Sequence, residues 1–166
     1  MRRPWKDRSR FFPVVLVLVI IAAIYVLTGC SGQDGRTADH LSAAQIGASI
    51  EQAVSLKDLK AGDRTKLQKL YKLNADNVDD FILYISTSNV RADELVIVKL
   101  KDASQAESVK AKIRQRIDAQ KIKFKDYRPD EYYWVEHHVL KTKGPFVLFA
   151  VSKEADKIER AFDDAF

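Results

Sequence analysis

The sequence predicts an α+β protein: a four-stranded antiparallel sheet in the order 2-1-4-3 with packed helices, preceded by a signal or anchor helix and a short tether. Three observations carry this prediction. Four short runs rich in β-formers come as two pairs, each joined by a polar loop. Around those pairs, apolar residues recur at spacings of three and four, the period of a half-buried helix. The first 29 residues differ from the rest, being basic and then uncharged.

The leader comes first in the chain. Residues 1–10 form a basic n-region with Arg2, Arg3, Lys6, Arg8 and Arg10 against Asp7. Residues 11–28 form an h-region with no charge. Eighteen uncharged residues can just span a bilayer core of about 30 Å, so an uncleaved transmembrane anchor is one reading. In either case the positive end stays cytoplasmic. The Arg2-Arg3 pair fits an ordinary basic n-region, with Pro4 directly after it.

Cys30 is the only cysteine of the 166 residues, so no internal disulfide can form and the fold is held by burial. It closes the h-region in the stretch Leu27-Thr28-Gly29-Cys30. That stretch resembles the lipobox of bacterial lipoproteins: an aliphatic residue, two small residues, then cysteine. The resemblance implies a diacylglyceryl group joined to the Cys30 sulfur and cleavage before it, so residues 1–29 are a signal peptide. Two acyl chains suffice for stable anchoring, where one would be marginal. Residues 30–39 then read as a lipidated, flexible tether, with two glycines, Gly32 and Gly35, and no apolar side chain larger than alanine after Cys30. The nine residues 31–39 reach at most roughly 30 Å.

Residues 40–166 are expected to be one extracytoplasmic α+β domain. Ser42 with Gln45 fits a capping box for a helix over about 42–54, with Ala43, Ile46, Gly47, Ile50, Ala53 and Val54 on one face. Gly62 separates it from a second helix over about 64–73. The runs 81–87 and 94–101 form a hairpin about the loop Ser88 to Ala92. Ala106, Val109, Ile113 and Ile117 then mark a helix to about Gln120. Pro129 suits a first helical position, with Asp130 and Glu131 complementing the helix dipole. The segment 137–152 reads as a second hairpin turning at Lys143-Gly144, and Ser152 caps a last helix whose stripe is Ala155, Ile158, Ala161, Phe162 and Ala165. The first and last strands are apolar on both faces and so predicted central. Lys99 and Lys101 on the second, and Lys141 and Lys143 on the third, place those at the edges.

With these elements in place, 92–102, the basic helix after it, 124–136 and 144–162 resemble a family of small bacterial lipoproteins that share a C-terminal domain of unknown function. The resemblance spans roughly residues 56–162. It implies a lipobox or N-terminal anchor, and it carries over no catalytic residue.

Composition narrows the function. The net charge is +5, but the leader supplies most of it, and residues 30–166 hold 23 basic against 22 acidic side chains. That balance, with an extracytoplasmic location, speaks against nucleic acid as a partner. No cofactor and no metal is expected. The histidines are His40, His137 and His138; the adjacent pair would point to opposite faces of a strand, and Glu136 and His138 could share a face as two ligands, but nothing identifies a third. No G-x-S-x-G occurs, and the pairs Asp79-Asp80 and Asp163-Asp164 read as solvated carboxylates, so no catalytic residue is assigned. Two binding candidates remain. Residues 99–125 carry a net +6, and Lys110, Lys112, Arg114, Arg116, Lys121 and Lys123 form a candidate basic face, alternatively the ordinary polar side of an amphipathic helix. Arg128, Tyr132, Tyr133 and Trp134 form a candidate partner-binding segment. Tyr127 and one of Tyr132 or Tyr133 are expected in the core, and Trp134 exposed. The expectation is a lipid-anchored binding or accessory protein of the bacterial envelope, docking on a membrane or envelope partner. The alternative is a module for an anionic envelope polymer or small ligand.

Overall fold

A computed structural model describes residues 40–166. The n-region, h-region, lipobox and tether read from residues 1–39 lie outside the described residues. The described chain runs α1 (Ala43–Ala53), β1 (Leu59–Ala61), α2 (Arg64–Tyr71), β2 (Val78–Ser86), β3 (Glu94–Leu100), α3 (Ala106–Phe124), α4 (Pro129–Glu136), β4 (Val139–Lys143), β5 (Phe146–Val151) and α5 (Ala155–Asp164). The α+β class is as the periodicity predicts.

Local rules account for most boundaries. Ser42 and Gln45 close a reciprocal capping box on α1. Asp63 caps α2 by accepting the Lys66 N–H at 2.7 Å, and Lys72 ends it in the left-handed region at φ 54°. Pro129 opens α4. The β4–β5 hairpin turns through Gly144-Pro145, with Gly144 at φ 55°, a conformation glycine adopts at no steric cost.

The sheet is the main correction. It has five strands rather than four, in the order β1-β2-β3-β5-β4, every neighbour antiparallel. The predicted order put β2 beside β5 and β3 at an edge. The structure makes β3 the central strand, paired with β2 and β5. Lys99 does not mark an edge because it lies near the end of β3, where its ammonium comes within 3.7 Å of Asp79 and over the Phe146 ring. Leu95, Val96, Ile97 and Val98 before it are fully buried on both faces. The lysines of β4 do lie on an edge strand. That edge strand sends Lys141 onto Glu159 and Asp163 at 2.8 and 2.6 Å. The other edge is β1, only three residues long and too short to show a period in sequence.

Helix length sets this order. The 19 residues of α3 extend about 28 Å and return the chain to the end of the sheet where β3 began. β4 therefore runs parallel to β3, with β5 antiparallel between them.

Helices cover both faces. On one, α2, α3 and Val135 of α4 pack on Val96, Val98, Val147 and Phe149. On the other, α1 and α5 pack on Leu95, Ile97, Phe146 and Leu148. Strand alternation assigns each residue its face. A bulge at Asp79 breaks that alternation. It lets Val78 join the α3 side while Asp80 turns to the α1 side, where its carboxylate accepts the Ala43 N–H at 2.7 Å and complements the helix dipole. α1 crosses β2 closely at Gly47, where an added Cβ would lie 2.6 Å from the Cδ1 tip of Ile82 and that side chain would have to shift.

Candidate functional site: buried carboxylates at one end of the sheet

Glu94 opens β3 on the face covered by α2 and α3, and it is 2% exposed. A bare carboxylate there would be costly, so it has to be paired and hydrogen-bonded. Arg116 of α3 donates Nη2 to Oε2 at 2.8 Å and Nε to Oε1 at 3.3 Å. Gln120, one turn further along α3, donates Nε2 to Oε2, and the Tyr71 hydroxyl of α2 donates to Oε1. Two helices thus converge on one strand side chain. Among the described residues, the Gln120 Oε1 atom has no hydrogen-bond partner.

Burial, reinforced by the Glu94 charge and hydrogen bond, holds the Tyr71 phenol well above the ordinary tyrosine range. Burial works to lower the Arg116 guanidinium, but the hydrogen bond and charge of Glu94 outweigh it, and the net direction is upward. The folded protein therefore keeps the Tyr71 proton that the unfolded chain releases near pH 10. The stabilisation this group contributes is complete below about pH 10 and is lost as pH rises through its folded value. Thermal melts between about pH 9 and 11 should show wild type losing stability faster than Tyr71→Phe. Parallel declines would remove Tyr71 as the source.

Glu131, in the first turn of α4, is the second buried carboxylate, 5% exposed. Its Oε2 accepts the Ala92 N–H at 2.7 Å, and Oε1 lies 3.7 Å from Arg91 Nε and 4.0 Å from Arg128 Nη2. It ties α4 to the β2–β3 loop, a role beyond the dipole one expected of it. Arg91 makes its shorter contact, 2.8 Å, with Asp93. Arg91, Asp93 and Glu94 line two depressions of about 240 Å³ each. The one under α3 adds Lys66, Ser86, Ser88, Gln120 and Lys123.

The predicted residues are distributed as follows. Arg116 leaves the basic face, since it points inward to Glu94. Lys110 pairs with Glu107 at 2.8 Å and Lys121 with Glu136 at 3.6 Å, while Lys123 sits over the Phe124 ring. Arg114 is exposed and Lys112 half-buried. On α4, Tyr132 donates its hydroxyl to Glu136 at 3.0 Å. Tyr133 is exposed, edge-on to Trp134 and stacked on His137 with ring centroids 3.9 Å apart. Two burial expectations reverse. Tyr127 is 69% exposed, because it lies in the turn beyond α3 and off its apolar stripe. Trp134 packs against the core beside Val135. His137 and His138 end α4 rather than occupying a strand, with Nδ1 atoms 2.8 and 2.7 Å from the Tyr133 and Val135 carbonyls. Among the described residues, no group of three or more His, Cys, Asp and Glu side chains is placed to hold a metal ion. No helix among them is long and apolar enough to cross a membrane.

Sequence reasoning missed Glu94, Glu131, Tyr71 and Gln120. One signal was available. Gln120 falls three residues after Ile117 and four before Phe124, inside the buried stripe of α3. A polar residue on that stripe needs a buried polar partner.

The family model for a domain of unknown function, DUF4358, matches residues 52–152. The chain belongs to that family. The DUF4358 match runs from the end of α1 through β5, so it takes in all five strands, Glu94, Arg116 and Glu131. No curated protein and no solved structure matches the chain.

Proposed function

We propose that this DUF4358 protein is a lipid-anchored accessory protein on the extracytoplasmic face of a bacterial cell membrane, acting by docking on an envelope partner. The observation that carries the reading is the sole cysteine, Cys30, closing an uncharged run as Leu27-Thr28-Gly29-Cys30. The family resemblance to small bacterial lipoproteins supports it. Docking is supported by the outer side of α4, where Tyr133 is half exposed on top of His137 and Trp134. A rigid aromatic with little side-chain entropy left to lose is a good anchor for a partner.

Metabolic labelling with a tagged fatty acid should mark wild type and miss Cys30→Ala. Equal labelling of both would sink the anchor. In-cell cross-linking followed by mass spectrometry should return one recurrent envelope protein, and Tyr133→Ala should lose it. Scattered abundant neighbours, unchanged in the variant, would count against a dedicated partner.

The second reading, a module for an anionic polymer or small ligand, is favoured by the depression under α3. Lys66 and Lys123 line it and make no ion pair among the described residues. A rise in melting temperature with polyphosphate, lost in Lys66→Glu, would favour this reading over the first.

A further inference from the structure

We infer that the corner joining α3 to α4 is a membrane-interface contact for anionic phospholipid headgroups; this rests on the lipid-anchored reading above and names a second partner for it. Ile122 is 81% exposed and Tyr127 69%, the two most exposed large hydrophobic side chains among the described residues. They are not on a frayed end. The N–H groups of Tyr127 and Arg128 both donate to the Phe124 carbonyl, at 3.3 and 2.9 Å, and the Phe124 ring is buried. The corner is therefore a fixed turn that presents Ile122 and Tyr127 outward.

The flanking charges decide what it fits. Lys123 and Lys125 are exposed and make no ion pair among the described residues, and Asp126 is the only acid between Ile122 and Tyr127. Two apolar side chains make too small a patch for the core of a stable protein interface. They suit a bilayer surface. An aliphatic group inserts, a tyrosine sits at headgroup level, and lysines pair with lipid phosphates at about fivefold in partition each. Such a contact is weak alone and effective when a covalent anchor raises its local concentration.

The distances allow it. The Asp80 carboxylate holds the start of α1 at the Lys99 end of the sheet, whereas Phe124 closes α3 near the Glu94 end. The five residue steps from Glu94 to Lys99 separate those ends by about 17 Å. The nine residues after Cys30 reach up to roughly 30 Å, enough for the domain to lie along the membrane.

The test uses full-length protein carrying an environment-sensitive thiol dye at Ile122→Cys, bound to vesicles of phosphatidylcholine with or without phosphatidylglycerol. Wild type treated with the dye corrects for Cys30. The same dye at Ser108→Cys, an exposed position near the other end of α3, is the control. With phosphatidylglycerol, the dye at 122 should shift to the blue and be quenched by lipid-borne quenchers, while that at 108 stays aqueous. Adding Lys125→Glu and Tyr127→Asp, or high salt, should lower the quenched fraction by about tenfold. An aqueous dye at 122 in protein that floats with both vesicle types overturns the corner contact and leaves the anchor standing. Failure to float with either overturns both.

Discussion

Replacing Arg116 by methionine should destabilise the domain by about 3–5 kcal/mol, because it strands the Glu94 carboxylate in the core. Glu94 is 2% exposed, and among the described residues Arg116 is the one cation paired with it, through two hydrogen bonds. Tyr71 and Gln120 would still donate, but neither carries charge. A typical domain has about 5–15 kcal/mol in all, so this is a large fraction of it. The double variant Glu94→Gln/Arg116→Met removes both charges and leaves an acceptor for Tyr71. It should recover much of the loss, since a buried ion pair often contributes little beyond a neutral replacement. Urea titrations compare the three proteins at constant slope. A single variant that loses less than about 1 kcal/mol would show that water or backbone movement compensates for the missing cation.

Phe149→Ala should cost a similar amount, about 3–5 kcal/mol, for a different reason. Phe149 is fully buried at the middle of β5, in T-shaped contact with Tyr71 at 6.3 Å and with His138 at 5.9 Å. Its neighbours belong to α2, α4 and α3, which cannot all collapse into the space the ring leaves. Truncating exposed Tyr127 to alanine should change stability by about 0.5 kcal/mol or less, and the pair of melts separates burial from aromaticity. A Phe149→Ala protein as stable as Tyr127→Ala would mean that this face of the sheet is not a packed core.

The two predictions concern residues that differed sharply in how far the sequence exposed them. Phe149 lies in a run of six apolar residues, and its burial on an interior strand was legible from that run. Glu94 was not, because an acid at the start of a strand reads as a solvated end. Its partners lie 22, 23 and 26 residues away in sequence, on two other elements. The same limit explains the sheet order. Alternative orders satisfied antiparallel pairing equally well, and the lysine content of β3 pointed to an edge. Packing overrode that signal, because four consecutive buried residues outweigh one lysine able to reach Asp79 at the strand end.

By itself, the sequence determined the α+β class, the capping box of α1, the Pro129 start of α4 and the two hairpins, the second of which turns one residue later than its Lys143-Gly144 reading. These depend on side-chain period and on backbone chemistry within a few residues, which a local reading can see. It also supplied the Cys30 context on which the anchoring proposal rests. Only the tertiary structure decided that β3 is central, that β1 closes the other edge, that Arg116 faces inward, and that Ile122 and Tyr127 face out. Each of those outcomes depends on which distant elements pack together. A helix long enough to carry the chain back along the sheet, and a buried carboxylate that needs its cation, settle that packing through contacts that no local pattern encodes.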